Sequence, residues 1–264
     1  MDYKIGVVSK LLGISPEGLR LYEREGILSS RREGSYRVYS HLDITALMRA
    51  RSYHNYGFSL KETEDLINTD SLESVADYYR KREKSLEEEI VQKQRLLSYL
   101  KSVNQLAQRV PQQLWKIRRG IRPAMYRFEF MDGDDLIIGP ELYGKFQEWV
   151  GLAPFTFPAQ RNEWKRIVQG EGRSVSALGI FAEDAEYFGI RKEGPITFHP
   201  ECECLYTIVE LAGEDADSRE YLGGLKEYVE SRGIQAAGDP IGRTFLSMNK
   251  KDNYTRYREV WLPV

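Results

Sequence analysis

The chain has 264 residues, of which 41% are hydrophobic and 30% charged, and its formal net charge is −2. This length fits two domains or one large domain, with enough apolar material for packed cores. No apolar run is long enough for a transmembrane helix, and residues 1–4 lack the apolar stretch of a signal peptide. We therefore expect a cytoplasmic protein with no membrane partner.

Charge is distributed unevenly along the chain. The first 120 residues carry a net charge of +5, and the remainder carries −7. The two parts are therefore expected to meet different partners.

Residues that commonly bind metals are few. Two cysteines, Cys202 and Cys204, cannot build a disulfide framework, and the histidines at 41, 54 and 199 lie far apart. We predict neither a metal site nor a cofactor, and keep redox or metal sensing by the cysteines as a minor alternative.

The first 71 residues carry the pattern of a winged helix-turn-helix domain. Gly13 ends a first short helix, and Ser15 and Pro16 supply the N-cap and first residue of a second. Residues 30–39 predict a hairpin, and a helix from about 43 to 55 follows. Another helix opens at Ser59 with a capping-box pattern.

Residues 72–110 predict one long helix, since they contain no proline or glycine. Apolar side chains follow a rhythm of alternating steps of four and three along it, interrupted by Lys93 and Asn104. This seam comprises Leu86, Ile90, Leu97, Leu100 and Ala107. The pattern favours dimerisation as a coiled coil over packing on the helix's own domain. Pro111 is predicted to end the helix, and the basic segment 111–123 to be a linker.

Residues 124–264 predict an antiparallel sheet with two helices, built from a duplicated strand-helix-strand-strand unit. Residues 142–150 align with 221–229, and strand-like runs precede and follow both blocks. The strand-like runs that come after the two blocks, 175–181 and 241–247, are matched with each other. Residues 159–173 are assigned to an extra loop in the first copy. The predicted fold class is α+β with several domains.

Two parts of the chain resemble known families. The segments 3–10, 19–28, 35–39 and 57–62 resemble the MerR family of transcription regulators. Residues 121–264 look like a GyrI-like ligand-sensing domain, most tellingly at 258–264. The resemblance implies a homodimer that binds double-stranded promoter DNA beside RNA polymerase. It further implies that a small-molecule effector makes the dimer distort the DNA and activate transcription.

Candidate DNA contacts lie in the second helix, in the hairpin wing and at the helix that starts after Ser59. Such a helix enters the major groove, basic side chains neutralise phosphates, and a helix N-terminus attracts anions. The candidates are Ser15, Pro16, Glu17, Gly18, Arg20, Tyr22, Arg37, Tyr39 and Lys61.

Candidate ligand contacts lie on the last predicted strand. Residues two apart share a strand face, so Tyr257, Glu259 and Trp261 lie together. A carboxylate between aromatic rings suits a lipophilic cation. Further candidate walls are Phe181, Tyr187, Tyr206 and Phe245. The competing interpretation is that the two rings belong to the core and that Glu259 pairs with an arginine such as Arg243.

Two other classes of function stay open beside the regulator. Glu259 with Tyr257 or Tyr206 could serve as the acid–base pair of a hydrolase acting on reactive small molecules. No Ser-His-Asp or Cys-His constellation is visible in the sequence, so we predict that the chain is not an enzyme. The other alternative is a DNA-architectural dimer whose C-terminal domain binds a protein.

Overall fold

The computed structural model describes residues 2–213, 218–250 and 253–264. These residues fall into two units, Met1–Gln94 and Arg95–Val264. No helix within the described ranges combines the length and apolar character needed to cross a membrane.

The first unit is mainly helical. Its elements are β1 (Tyr3–Lys4), α1 (Ile5–Leu12), α2 (Pro16–Arg24), β2 (Arg31–Glu33), β3 (Tyr36–Tyr39), α3 (His41–Tyr56) and α4 (Leu60–Asn68). Strand β3 pairs antiparallel with both β1 and β2, which gives a small three-stranded sheet. The predicted helix-turn-helix followed by a hairpin wing is confirmed.

Local capping signals fix the helix boundaries of this unit. Gly13 ends α1 in the left-handed region, with a φ of 64° that favours glycine. The Ser15 side chain caps α2 by accepting a hydrogen bond from the N–H of Gly18 at 3.0 Å. Ser59 and Glu62 form the predicted capping box at α4.

The long helix α5 spans Leu72–Gln113 and continues past the proline that was predicted to end it. The N–H of Leu114 donates to the carbonyl of Val110 at 2.9 Å, so hydrogen bonding resumes beyond Pro111. Val110 is buried in a cluster with Tyr206 and Ile208, and this packing stabilises the last turn although Pro111 has no N–H to donate.

The second unit is built around a nine-stranded antiparallel sheet. Its strands are β4 (Arg118–Arg122), β5 (Met125–Asp132), β6 (Asp135–Leu136), β7 (Thr156–Asn162), β8 (Ser174–Phe181), β9 (Ile196–His199), β10 (Cys202–Ala212), β11 (Ile241–Lys250) and β12 (Asn253–Pro263). Its helices are α6 (Tyr143–Gly151), α7 (Trp164–Val168), α8 (Ala182–Tyr187) and α9 (Ser218–Ser231), with a short 3₁₀ turn at Pro140–Leu142. The strand order is β4-β10-β12-β11-β7-β8-β5-β6, and β9 pairs with β5.

The topology contains the predicted duplicated unit. The successions β5-α6-β7-β8 and β10-α9-β11-β12 are equivalent, because in each the first strand pairs with the third and the third with the second. The two second strands, β7 and β11, join the copies. From the sequence, residues 175–181, which lie in β8, were matched with residues 241–247, which lie in β11. In the structure, β8 instead corresponds to β12, and β11 corresponds to β7.

Two segments predicted to lack regular structure contain strand or helix. Residues 118–122, assigned to the linker, form β4 at the edge of the sheet and pair with β10. The assigned loop 159–173 contains the end of β7 and all of α7. Pro158 argues against a central strand. It is accommodated because β7 pairs with β11 only over residues 159–161.

Strand β12 separates two layers of the core. Val260 and Leu262 belong to a buried cluster that includes apolar side chains of α9. Tyr257 and Trp261 belong to a different cluster, which includes Val110 of α5. The alternation along the strand therefore directs Glu259 toward the α5 side.

Candidate functional site

The leading end of α2 is the most accessible group of predicted DNA contacts. Ser15, Pro16, Glu17 and Arg20 are exposed, and Gly18 is partly exposed. The guanidinium of Arg20 donates to the Glu17 carboxylate at 2.9 Å. Such an exposed ion pair contributes little stability, so Arg20 can exchange this partner for a phosphate.

Glu23 ties the hairpin wing to α2. One carboxylate oxygen accepts from Nε of Arg37 at 2.9 Å, and the other accepts from the hydroxyl of Tyr39 at 2.8 Å. Burial raises the pKa of Glu23, but hydrogen bonds from Ser30 and Tyr39 together with Arg37 outweigh burial and lower it below its ordinary value. The ionised carboxylate thus fixes the wing on the helix.

Two of the predicted DNA contacts lie in the core. Tyr39 is 0% exposed and Tyr22 is 9% exposed, and both pack in the main apolar cluster of the first unit. Because its hydroxyl donates a hydrogen bond to Glu23, Tyr39 positions the wing and is no longer expected to contact DNA. Arg37 is half-buried by the same ion pair, with a third of its side chain accessible.

Lys61 is exposed in the first turn of α4. The N–H of Ser59 donates to Glu62 at 2.7 Å, and the N–H of Glu62 donates to the Ser59 hydroxyl at 3.3 Å. These two backbone donors are therefore occupied, so a phosphate contact here depends on the Lys61 ammonium more than on the helix N-terminus expected from the sequence.

Replacing Glu23 by glutamine is expected to destabilise the first unit by about 1 kcal/mol, because charge-assisted bonds to the wing are lost from a partly solvated site. In the wild type the folded pKa lies below the unfolded one. This stabilisation is therefore present above the ordinary glutamate pKa and is lost as pH falls through the lowered one. Urea unfolding at several acid pH values, followed by circular dichroism, should show a flatter acid dependence for the variant.

Tryptophan fluorescence provides an internal control for that experiment. All four tryptophans of the chain lie in the second unit, so their unfolding transition should not shift in Glu23→Gln. Equal acid dependence in the two proteins would contradict a structural role for the ionised carboxylate.

The second unit contains a cavity of about 430 Å³ around the buried end of Glu259. Strand β12 supplies Glu259 and Trp261, and β10 supplies Tyr206. The complete lining is Ser102, Leu106, Arg109, Arg118, Gly120, Ile121, Pro123, Phe181, Tyr206, Arg243, Glu259 and Trp261. Its volume lies within the range of small-molecule sites in proteins.

Both oxygens of the Glu259 carboxylate are hydrogen-bonded. Oε1 accepts from the hydroxyl of Tyr206 at 3.0 Å, and Oε2 accepts from the guanidinium of Arg243 at 3.2 Å. Glu259 is 6% exposed, and burial raises its pKa while Arg243 and Tyr206 oppose the rise. The ion pair is the one that the competing interpretation of Glu259 required.

Aromatic rings surround the guanidinium of Arg243. Its central carbon lies 4.8 Å from the ring centres of Phe157 and Phe181 and 5.7 Å from that of Tyr99. Gly179 makes this arrangement possible, since a Cβ there would lie 2.5 Å from the Phe157 ring. The Phe181 ring, which lines the cavity, therefore already holds a cation of the protein.

Four of the seven predicted ligand contacts line the cavity, namely Phe181, Tyr206, Glu259 and Trp261. The other three lie elsewhere. The Tyr257 hydroxyl donates to Glu210 at 2.7 Å, Phe245 is buried in the core, and the Tyr187 ring lies under Arg95. Tyr257 lies on the same strand face as Glu259. Side chains two residues apart along a strand are nevertheless far enough apart for each to have its own hydrogen-bond partner.

The arginines of the cavity were missed as ligand contacts. Arg118 lies over the ring of Tyr206 at 4.8 Å, and Arg109 reaches the cavity from α5. Arg118 was not predicted as a ligand contact because its segment was assigned to a linker. Pairing of β4 with β10 places it beside Tyr206. Arg243 had been considered only as a structural partner of Glu259.

A second cavity, of about 530 Å³, is lined by His199 and Cys202 among others. Burial and the arginines at 127, 122 and 161 lower the pKa of His199 to about 4, so this histidine is neutral at physiological pH. Cys202 lines the cavity, whereas burial raises the pKa of Cys204 to about 11 and keeps its thiol protonated. Among the described residues no group of three or more His, Cys, Asp or Glu is placed to hold a metal ion.

The geometry of the first unit defines a class of protein domain. A helix-turn-helix, a hairpin wing fixed to its second helix and an exposed arginine at the leading end of that helix are the parts of a winged helix-turn-helix DNA-binding domain. Residues 3–69 match the family model described as MerR HTH family regulatory protein. The N-terminal segment is therefore a MerR-type helix-turn-helix domain, as the sequence predicted.

Individual relatives match the same segment. An uncharacterized HTH-type transcriptional regulator of Synechocystis sp. is 34% identical over 73 residues, which are 27% of this chain and 53% of that protein. The mercuric resistance operon regulatory protein of Serratia marcescens is 37% identical over 68 residues, which are 25% of this chain and 47% of that protein. The chain thus spans about half the length of these curated relatives.

One solved structure aligns along nearly the whole chain. A cryo-EM structure of an EcmrR–DNA complex covers 99% of this chain and 98% of its own, at 18% identity and a TM-score of 0.35.

Proposed function

We propose that the chain is a homodimeric, ligand-responsive regulator of transcription that binds promoter DNA. The observation that carries the proposal is the MerR-type domain at residues 3–69, in which α2 presents its leading end to solvent. This domain is joined in the same chain to a second unit with a cavity of ligand size.

On DNA, α2 enters the major groove and the β2–β3 wing lies against the adjacent backbone. Arg20 is the leading candidate for a phosphate or base contact, with Lys61 as a second basic contact. Arg37 contributes through its accessible third while Glu23 holds it in place.

The dimer contact lies on α5, which pairs antiparallel with the same helix of the partner. In support, the apolar side chains of Leu86, Ile90, Leu97 and Leu100 are each between 44% and 54% exposed. Apolar residues repeated on one helix face stabilise a coiled coil when a second helix covers them. Ala107, the last residue of the predicted seam, is partly buried within the second unit.

The effector is an aromatic small molecule held in the cavity beside Phe181, Tyr206, Glu259 and Trp261. It acts by preferring the conformation of the dimer that bends and untwists the promoter, which realigns the elements read by RNA polymerase. Transcription is activated when the effector binds, and repression without it is compatible with the same scheme.

Removal of the Arg20 side chain tests the DNA-binding part of this proposal. In Arg20→Ala, affinity for DNA from upstream of the chain's own gene should fall, and the slope of log affinity against log salt should flatten by about one unit, because one phosphate contact is lost. Fluorescence anisotropy over a salt series measures both quantities.

Arg80→Ala is the matched control, because it removes an exposed arginine of α5 that pairs with Asp77 and lies outside the predicted DNA contacts. The control should bind as the wild type does. If Arg20→Ala and Arg80→Ala were indistinguishable from the wild type in affinity and slope, Arg20 would not contact DNA.

A further inference from the structure

We propose that the cavity around Glu259 accepts aromatic anions, such as a flat ring system carrying a carboxylate or sulfonate, and not the lipophilic cations expected from the sequence. This proposal rests on the proposed function, since it names the effector class of the same cavity.

Glu259 offers no free negative charge to a ligand. The hydroxyl of Tyr206 and the guanidinium of Arg243 occupy its two carboxylate oxygens. A ligand cation that displaced Arg243 would leave a guanidinium that is only 4% exposed without its counter-ion, which is unfavourable in a poorly solvated site. Protonation of Glu259, toward which burial drives it, would leave the cavity still more positive.

The charged side chains of the cavity favour an anion. Among the described lining residues, Arg109, Arg118 and Arg243 stand against the single carboxylate of Glu259. Arg109 and Arg118 are exposed, whereas Arg243 is buried beside Glu259. Nε of Arg243 has no hydrogen-bond partner among the described residues, so the guanidinium retains an unused donor. Guanidinium groups bind carboxylate and sulfonate groups through paired N–H donors.

The stacking surfaces favour a flat ring. Phe181 and Trp261 contribute aromatic walls, and Arg118 already lies over the Tyr206 ring at 4.8 Å. A guanidinium plane stacks on aromatic faces as readily as it pairs with an anion. An aromatic acid can therefore use both properties of Arg118 at once.

Three ligands that share one ring system separate charge from shape: naphthoate, naphthamide and naphthylmethylammonium. Each is titrated calorimetrically into the full-length wild type, Arg118→Gln and Arg119→Gln. Arg119 is the neighbouring exposed arginine on β4 and does not line the cavity, so its substitution makes the same charge change outside the site.

We expect naphthoate to bind the wild type more tightly than the amide, and the ammonium to bind most weakly. Arg118→Gln should weaken naphthoate by about fivefold and leave the amide within about twofold, while Arg119→Gln changes neither. Tighter binding of the ammonium than of naphthoate, equal effects of the two substitutions on naphthoate, or no binding by any of the three ligands would overturn the proposal. DNA binding measured on the same samples reports separately on the proposed DNA-binding function, which loss of ligand binding leaves untouched.

Discussion

Glu259→Gln is expected to lower the stability of the second unit by about 3 kcal/mol, because loss of one partner of a buried ion pair leaves the other charge uncompensated. The stranded charge is that of Arg243, which donates to Glu259 at 3.2 Å and is 4% exposed. Urea unfolding is measured at mildly alkaline pH, which favours the ionised form of Glu259, because burial raises the pKa of this carboxyl group. Tryptophan fluorescence then reports selectively on this unit.

Two further variants show whether the ion pair is the cause. Glu203→Gln removes an exposed carboxylate from β10 and should change stability by less than about 0.5 kcal/mol. Combining Arg243→Met with Glu259→Gln removes both charges and should recover part of the loss, which a double-mutant cycle measures as coupling. An unchanged unfolding midpoint in Glu259→Gln would contradict the ion pair and would mean that the carboxylate is available to bind a ligand cation.

Leu97→Asp is expected to dissociate the dimer and to abolish tight DNA binding. Leu97 is 52% exposed on α5, and in the proposed dimer an aspartate there would be buried without a partner. We expect the dimer dissociation constant to rise by about a hundredfold or more. DNA affinity falls with it, since each protomer reads one half-site.

Val91→Asp is the matched control for the seam. Val91 is also apolar, lies on the same helix and is 42% exposed, but it falls outside the repeat of four and three residues. Sedimentation velocity should show monomers for Leu97→Asp and dimers for Val91→Asp. A folded wild-type monomer at micromolar concentration would contradict dimerisation through this helix.

The first unit could be predicted closely because its signals are local. Gly13, Ser15 and the Ser59–Glu62 box each act within one turn of chain, and each caps the helix end that it predicts. The buried position of Tyr39 could not be predicted in the same way, since it depends on a hydrogen bond to Glu23, sixteen residues away.

The cavity was predicted only in part, because its charges come together over long distances in the sequence. Alternation on β12 correctly grouped Glu259 with Trp261, and the competing interpretation identified Arg243. The position of Arg118 depends on the pairing of β4 with β10, which no local pattern reveals. The sequence therefore predicted a cation site around Glu259, whereas three of the four charged side chains that line the cavity are arginines.

The most direct test of a dimeric DNA-binding regulator is footprinting of the full-length protein on DNA from upstream of its own gene. We predict protection of one segment that contains two half-sites related by twofold symmetry, at protein concentrations that support the dimer, and loss of that protection in Leu97→Asp. If the folded wild-type dimer protected no segment more strongly than it protects unrelated DNA, the central claim would be contradicted.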